Sequence, residues 1–436
     1  MVMKLMKKKQ KERDHDLVKF LGHANTFKCY LFFRNWIFLI GGRFLLKFKY
    51  RCSECLASFD ITPDLMLCPK CSINQKEDQP LIGVLETECS GSLPTSFDPI
   101  DFLPVERNFF PESPVGKTPL WKPKNLRDKL STPNLFIKDD SSNPTGSFKD
   151  RASFLVAAFA KKHGIKDIVL ASTGNAASSM AGIGAAADIS TTIFLPKSAP
   201  PAKMIQSLQY GANVILVDGN YDKAYDLSLE YSKIKGGLNR NTAYNPLTIE
   251  GKKTVSLELF KELKKSPDYV FMPVGDGVII AGVYKGFRDL KKFNLIDKIP
   301  TIYAIQAETS NAIYRAFNTG KFEPLPADTI ADSICVDIPR NGYYAIWNLK
   351  TFKGRCITVT DEEILRAQKE LSSSTGLFTE PAGAASFAGF LKVKNSLKKN
   401  ATIVLLATGS GLKDTQTALK GVIPPQKAIK TIDEVL

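Results

Sequence analysis

The feature of this 436-residue chain that most restricts its fold is an alternation of short apolar runs and helical patterns from about Thr118 onward. The apolar runs are rich in β-branched residues, and most of them lead through Gly/Ser/Thr/Asn turns into helical segments. The seven runs are Leu135–Lys138, Asp167–Ala171, Thr191–Leu195, Asn213–Val217, Tyr269–Val274, Ile302–Gln306 and Thr402–Ala407. The helical patterns include Ala176–Ala187, Tyr221–Ile234 and Thr254–Lys264. This rhythm predicts an α/β fold with mostly parallel sheets covered by helices, whose chemistry lies in the loops after the strands.

Two pairs of cysteines precede this region, Cys52 with Cys55 and Cys68 with Cys71, in a CxxC-x12-CxxC pattern. Each CxxC turn directs two thiolates at one point, as in a zinc ribbon. Four thiolates leave no coordination position open, so we predict a structural zinc ion in a zinc-ribbon-like module over residues 51–90. The other four cysteines are scattered and we find no signal peptide with a cleavage site. We therefore expect a cytoplasmic protein without disulfides.

Basic residues are concentrated at the N-terminus. The formal net charge is +15, but residues 1–51 hold 13 Lys and Arg against three acidic residues, so the remainder carries only +5. We therefore expect neither nucleic acid nor a membrane as a partner. Only three histidines occur, His15, His23 and His163, which argues against a Ser–His triad or a His-rich metal site. The chemistry then depends on other side chains or on a cofactor.

Residues 1–50 differ in composition from the rest of the chain. A Lys-rich start precedes an apolar stretch, Tyr30 to Leu46, which Arg34, Asn35 and Arg43 interrupt. A membrane span needs about 18 uninterrupted apolar residues, and this stretch is shorter. We interpret residues 1–50 as an extension of little functional consequence, with an interfacial helix or a basic targeting segment as the alternatives.

The loop from Asn143 to Arg151, with the sequence NPTGSFKDR, leads into an Ala-rich helical segment. Gly146 allows a tight turn, and Ser147 can cap the helix, which places Lys149 in the first turn. Backbone N–H groups at a helix start disfavour a protonated amine nearby, and an uncharged lysine is what attack on an aldehyde requires. A lone lysine in a helix is usually a solvated charge, so the neighbouring motifs decide its meaning.

Three further loops follow apolar runs. The segments are Ala171–Ser178, Val274–Gly282 and Ala407–Asp414, with the sequences ASTGNAAS, VGDGVIIAG and ATGSGLKD. In the first two, glycines and successive N–H groups at a helix start suit an anionic group such as a phosphate. Each loop alone would be weak evidence of a site.

Taken together, the four loops resemble those of the threonine synthase family, in the same order, over about Pro114 to Asp414. This family belongs to the tryptophan-synthase-β-like, fold-type II enzymes that use pyridoxal phosphate (PLP). The entry motif Val115–Leu120 matches the family as well. The resemblance implies a catalytic unit over residues 91–430 with two lobes, a smaller one at about 151–250 and a larger one mainly at 251–430. It also implies a homodimer.

The resemblance further implies roles for individual residues. Lys149 would carry PLP as a Schiff base and then move protons on and off the substrate carbons. Asn175 would hold the cofactor's phenolic oxygen and Thr408 its pyridine nitrogen, while Ser172 and Thr173 would bind the substrate carboxylate. The cofactor's phosphate would lie on the loop formed by Gly275, Asp276, Gly277, Val278 and Ile279.

The sequence departs from the family pattern at several positions. Asp276 replaces an Asn, Ser410 replaces a His, and a Gly and an Asn that usually follow in the phosphate loop are absent. Thr248 replaces an Arg and Ala243 a Ser that help bind the substrate phosphate in the family. Another cation would have to substitute for the Arg. The candidates are Lys203, Lys252, Lys253 and Arg340, although an ordinary surface charge is the first interpretation of each.

The resemblance implies the threonine synthase reaction, in which O-phospho-L-homoserine and water give L-threonine and phosphate. The changes at Thr248 and Ala243 leave open a related β-elimination or β-replacement enzyme that acts on serine, threonine or phosphoserine. A non-enzymatic alternative, suggested by the cysteine module and the basic N-terminus, is a nucleic-acid-binding protein. We favour the threonine synthase reaction, with a small amino-acid substrate and PLP as the cofactor.

Overall fold

We describe the protein from a computed structural model, over residues 46–93, 96–172, 174–197, 201–425, 428–431 and 433. The predicted N-terminal extension therefore lies almost entirely outside the described residues, as does Thr173. The residues described between Leu46 and Ser90 and from Ser96 onward form one compact unit. The proposed division of this unit into a cysteine module and two catalytic lobes stays a prediction.

Thirteen strands occur among the described residues. They are β1 (Lys47–Cys52), β2 (Ser58–Phe59), β3 (Leu85–Ser90), β4 (Leu120–Trp121), β5 (Leu135–Asp139), β6 (Asp167–Ala171), β7 (Ser190–Pro196), β8 (Asn213–Val217), β9 (Leu238–Asn239), β10 (Tyr269–Pro273), β11 (Thr301–Ala307), β12 (Arg355–Val359) and β13 (Ile403–Ala407). All seven predicted runs form strands. The other six strands were not predicted. They are β1, β2 and β3 of the cysteine region together with β4, β9 and β12; β2, β4 and β9 have two residues each, and β12 is a partly exposed edge strand.

The α-helices of the described residues also number thirteen. They are α1 (Lys124–Lys129), α2 (Asp150–Lys162), α3 (Asn175–Ala187), α4 (Pro201–Gln209), α5 (Tyr221–Lys235), α6 (Leu247–Glu250), α7 (Thr254–Leu263), α8 (Val278–Lys292), α9 (Ala312–Thr319), α10 (Gly342–Thr351), α11 (Asp361–Thr375), α12 (Pro381–Val393) and α13 (Thr415–Leu419). Among the described residues, none of these helices is long and apolar enough to cross a membrane.

The strands form two mostly parallel sheets and one small antiparallel sheet. The larger parallel sheet has the order β12-β11-β10-β13-β5-β4, in which only β4 is antiparallel to its neighbour. The smaller one has the order β8-β7-β6-β9 and is parallel throughout. The antiparallel sheet, β2-β1-β3, belongs to the cysteine region and begins at Lys47. The predicted α/β class is therefore confirmed.

Burial explains why the central strands are apolar throughout. Every residue of β13 is buried, as expected of a strand covered by helices on both faces. Helix α12 contributes to the core over the larger sheet, together with α11. Helices α2 and α3 pack with β6 and β7 in a second core, which also includes Tyr50, Cys52 and Cys68 of the cysteine region. The cysteine region is thus packed on the body of the chain.

Candidate active site

The predicted functional loops leave neighbouring strand ends. Strand β13 pairs with both β5 and β10, so the carboxyl ends of these three parallel strands lie side by side. Their loops carry Lys149, Thr408 and Gly275. Two backbone hydrogen bonds join the first two loops: the Phe148 N–H donates to the Thr408 carbonyl at 2.8 Å, and the Ser410 N–H donates to the Gly146 carbonyl at 2.9 Å.

The loop after β6 completes the arrangement from the smaller sheet. One cavity is lined by Lys149, Ser172, Asn175 and the segment Val274–Ile279. Thr408 lines a smaller pocket together with Lys149 and Asn175. The described residues that the sequence assigned to the cofactor and the substrate are therefore brought together. Their individual roles stay predictions.

Lys149 immediately precedes helix α2, with its side chain directed into the cavity. Ser147 does not cap the helix, contrary to the sequence-based expectation; its hydroxyl has no hydrogen-bond partner among the described residues. Burial lowers the pKa of the Lys149 amine below its usual range, while the charges of Glu380 and Asp276 partly offset this effect. Because a neutral amine is the nucleophilic form, the environment favours the predicted reactivity.

A buried ionic network fixes the start of α2. The Arg151 guanidinium is fully buried and donates to the Asp140 carboxylate at 2.5 and 2.9 Å. It also donates to the Glu258 carboxylate at 2.7 and 2.9 Å. A bidentate Arg–carboxylate pair is geometrically restrictive. Since Arg151 lies two residues after Lys149, the network positions the lysine relative to the strand ends.

The glycines of the predicted phosphate loop are required by close packing. A Cβ on Gly275 would lie 2.9 Å from the Ile334 Cα atom, and Gly277 has a φ of +83° with a Cβ position 2.9 Å from the Ala345 Cβ. The loop leads into α8, whose first turn has no side-chain cap. Its N–H groups are therefore free to bind an anion such as the cofactor's phosphate. The backbone keeps this function although Val278 and Ile279 replace the family's Gly and Asn.

Asp276, which replaces the usual Asn, is directed toward the neighbouring loop. Its Oδ1 accepts a hydrogen bond from the Arg340 N–H at 2.9 Å, and its carbonyl accepts one from the Asn341 N–H at 3.0 Å. Burial raises the pKa of the Asp276 carboxyl, and the Arg340 N–H partly offsets this. The Asp side chain thus stabilises the shape of the phosphate loop.

Glu380, which lies outside the four loop motifs of the sequence, is a further residue of the site. Its carboxylate is buried and accepts hydrogen bonds from Asn175 Nδ2 at 3.1 and 2.9 Å. Burial raises the pKa of Glu380, and the positive charge of Lys149 lowers it. A Glu before a Pro at a helix start gives no sequence signal of burial beside a lysine, so this contact could not be foreseen.

Replacement of Glu380 by Gln is expected to move the pH dependence of cofactor attachment to lower pH. The Glu380 carboxylate stabilises the protonated Lys149, so its neutralisation lowers the lysine pKa further. The fraction of free amine rises with pH through that pKa, and the midpoint of the rate profile should shift downward. The measurement is the rate of PLP binding to the apoprotein as a function of pH. The control is E370Q, because Glu370 forms a partly exposed ion pair with Lys129 at 2.9 Å. An upward shift of the midpoint in E380Q would contradict the prediction.

The two residues that replace the family's substrate-phosphate ligands do not line the cavity. Thr248 is fully buried, and its hydroxyl donates to the Asn245 carbonyl at 2.7 Å. Ala243 is also fully buried, with a φ of +62°. Neither position can take over the contact of a longer polar side chain.

Two of the predicted replacement cations form ion pairs. Lys253 is buried and pairs with Glu250 at 2.5 Å and with Asp289 at 2.8 Å, so it is not a surface charge. Arg340 pairs with Asp222 and lies over the Tyr225 ring. Lys252 is also buried, with its ammonium donating to the Thr248 carbonyl at 2.9 Å. The Lys203 side chain lies outside the described residues.

The four predicted metal ligands converge. The Sγ atoms of Cys52, Cys55, Cys68 and Cys71 all lie within 4.8 Å of one another. The Cys52–Cys71 and Cys55–Cys68 Sγ separations are 3.8 and 3.7 Å. A tetrahedron with Zn–S bonds of about 2.3 Å has edges of about 3.8 Å. The thiolate donors and their spacing therefore fit a tetrahedral, soft metal ion.

The cysteine region contacts the active-site loops directly. The Leu81 N–H donates to the carbonyl of Arg340, the residue whose own N–H binds Asp276, at 2.9 Å. On β3, the Glu86 carboxylate accepts hydrogen bonds from Arg288 of α8 at 2.7 and 2.9 Å. Helix α8 is the one whose start forms the phosphate loop. Hydrogen bonds therefore connect the cysteine region both to the loop that holds Asp276 and to the helix that begins at the phosphate loop.

Comparisons with known proteins agree with this geometry. Residues 112–409 match the family described as "Pyridoxal-phosphate dependent enzyme". The threonine synthase of Methanosarcina acetivorans is 34% identical over 405 residues, which cover 89% of this chain and 98% of the relative. The threonine synthase of Methanocaldococcus jannaschii is 35% identical over 340 residues, covering 75% of this chain and 83% of the relative.

Solved structures with the same fold include enzymes with other names. The processed form of threonine deaminase isoform 2 from Solanum lycopersicum superimposes with a TM-score of 0.61 and 25% identity, over 71% of this chain and 89% of that one. Maize serine racemase gives a TM-score of 0.60 with 23% identity, over 68% and 88%. Because the maize serine racemase is only 23% identical, its likeness to this chain shows the fold alone.

Proposed function

Since the chain belongs to the pyridoxal-phosphate-dependent enzymes and, within them, to the threonine synthase family, we propose that it converts O-phospho-L-homoserine and water to L-threonine and phosphate. The observation that carries the proposal is that Lys149, with its lowered pKa, faces one cavity together with Ser172, Asn175 and the glycine loop at the start of α8. Because this family consists of enzymes, we no longer retain the alternative of a nucleic-acid-binding protein without enzymatic activity.

The residues of the cavity fit PLP. Lys149 would hold the cofactor through Nζ, the N–H groups of Gly275–Ile279 its phosphate, Asn175 its phenolic oxygen and Thr408 its pyridine nitrogen. Bound PLP supplies an electron sink that stabilises negative charge on substrate carbon atoms. A hydroxyl partner such as Thr408, in contrast to a carboxylate, leaves the pyridine nitrogen largely unprotonated.

Lys149 is the group of this site that can move protons. An amine with a lowered pKa accepts a proton from a substrate carbon and returns it within the same cavity. We propose that it acts in this way at both the α- and the β-carbon. Ser172 lines the same cavity and would bind the substrate carboxylate, which fixes the substrate relative to Lys149.

We further propose that the four cysteines bind a structural zinc ion, that the chain forms a homodimer and that it functions in the cytoplasm. The S–S separations support a tetrahedral site of four thiolates, for which zinc is the usual structural metal. The cytoplasmic location rests on the sequence, in which we find no signal peptide with a cleavage site. The homodimer rests on the family resemblance and is tested by the mass of the protein in solution.

The reaction is tested by product analysis of the purified holoenzyme. With O-phospho-L-homoserine, we expect phosphate and L-threonine to appear in a ratio of about one to one, because each turnover releases one of each. Serine, threonine and phosphoserine are tested in parallel. Formation of a 2-oxo acid from these substrates, without release of phosphate from O-phospho-L-homoserine, would replace the proposal with the β-elimination alternative.

A further inference from the structure

Arg240 is a fully buried cation that lines the same cavity as Lys149. It directly follows β9, the strand beside β6, and is only 1% exposed. Its Nη2 lies 3.4 Å from the Ser153 Oγ, which is a long contact. Its Nε has no hydrogen-bond partner among the described residues, and none of their carboxylates forms an ion pair with it. A buried guanidinium with an unsatisfied donor points to a ligand.

Arg151 shows what a structural buried arginine looks like in this protein. That guanidinium is equally buried, but two carboxylates and two hydroxyls satisfy it. Its pKa is raised, whereas burial lowers the pKa of Arg240 to about 10, which still leaves Arg240 charged at neutral pH. The two arginines therefore differ in partners, and only Arg240 faces the cavity.

Several ionisable groups surround Arg240. Lys149 and Arg240 both line the cavity, and Lys252 is buried close behind them, with burial and the charge of Arg240 lowering the Lys252 pKa. The nearby carboxylates already have partners, since Glu380 accepts from Asn175 and Asp276 accepts from the Arg340 N–H. Asp276 and Asp332 line the cavity as well, so the open N–H groups of Arg240, and not an excess of positive charge, favour an anionic ligand.

The anion has two candidate sources, the phosphate of the cofactor and that of the substrate. The cofactor's phosphate has its own N–H groups at the start of α8, which follows a strand of the larger sheet. Arg240 comes instead from the smaller sheet, close to the loop that carries Ser172. It also begins the segment that leads to Thr248, where the expected Arg is missing.

We propose that Arg240 binds the phosphate group of the substrate and determines specificity for a phosphate monoester, in place of the arginine expected at position 248. The inference rests on the proposed function. Arg240 recognises the phosphate through the free Nε–H and the remaining N–H groups of the guanidinium. Arg240 itself takes no part in proton transfer.

The test compares R240Q and R240K with the wild type and with R315Q. Arg315 is a partly buried arginine on α9 that bonds to Asn311 and Glu323, outside the cavity, and serves as the matched control. R240Q should raise KM for O-phospho-L-homoserine by about 100-fold, since removal of a buried charge partner has an effect of this order. R240K should recover part of the loss. The inhibition constant of inorganic phosphate should rise in the same proportion.

Separate measurements distinguish the other outcomes. The Kd of PLP for apo R240Q should stay within about threefold of the wild-type value, since the loop at α8 holds the cofactor. A large rise in that Kd without a change in KM would overturn the inference and assign Arg240 to the cofactor's phosphate. If the wild type turns over O-phospho-L-homoserine but KM and phosphate inhibition are unchanged in R240Q, the inference alone fails. If the wild type does not react, the proposed function fails, and phosphate binding to the folded variants still tests Arg240. Should R240Q not fold, R240K provides the same comparison.

Discussion

Replacement of Lys149 by alanine is expected to lower kcat by at least about 10⁴-fold, because the same amine serves as the nucleophile toward the cofactor and as the proton-transfer group. The variant should fold, since the Lys149 side chain has no hydrogen bond or ion pair with another described residue. The measurements are kcat on O-phospho-L-homoserine and the melting temperature.

The matched control is K162A at the other end of the same helix. Among the described residues, Lys162 pairs only with Glu106, at 2.9 Å and partly in solvent, so its loss should leave kcat within about twofold of wild type and change stability by about 1 kcal/mol or less. A K149A variant with more than a hundredth of the wild-type kcat would mean that another group moves the protons. Lys252 would then be the first alternative, because it is the other buried lysine near the cavity whose pKa is lowered.

The second large effect is expected from loss of the metal. Substitution of Cys68 by Ser removes a fully buried ligand, and the bound metal content should fall to near zero. Structural zinc sites contribute about 10 kcal/mol or more to the folding of small domains, so the cysteine region should lose its fold. The contacts of Leu81 with Arg340 and of Glu86 with Arg288 would be lost with it. The phosphate loop should then loosen, and we expect the Kd of PLP to rise by about tenfold, the size of a typical coupling between sites.

Cys89 provides the control for this substitution. It lies on β3, is 1% exposed and is not part of the metal cluster, so C89S should keep its metal and change the Kd of PLP little. Metal analysis and titration of the apoprotein with PLP separate the two variants. A metal-free C68S protein that binds PLP as tightly as the wild type would show that the contacts between the cysteine region and the phosphate loop contribute nothing to the free energy of PLP binding.

Local patterns allowed the fold class and much of the site to be predicted. Six of the seven apolar runs are mostly buried, so their hydrophobicity marked them; the exception is β8, in which only Val217 is buried. The loops of Lys149, Asn175, Gly275 and Thr408 could be placed at strand ends because parallel strands carry their ligands there. The convergence of the four cysteines followed from their spacing. These features depend on residues close in sequence.

The unpredicted features depend on contacts between distant residues. Glu380 meets Asn175 across 205 positions, and nothing near either residue indicates that the pair is buried. Arg240 and Lys252 look like ordinary charges in the sequence, and only the packed structure shows them enclosed beside the cavity. Likewise, the assignment of Lys253 and Arg340 to structural ion pairs required their partners Asp289 and Asp222 to be located.

Mapping of the covalent link between PLP and the protein tests most directly whether Lys149 holds the cofactor where these loops meet. The holoenzyme is reduced with borohydride and digested, and the peptides are analysed by mass spectrometry. We predict a phosphopyridoxyl group on the peptide that contains Lys149, and on no other. A modification of Lys252 or of another lysine, or a holoenzyme without any modified lysine, would contradict the account.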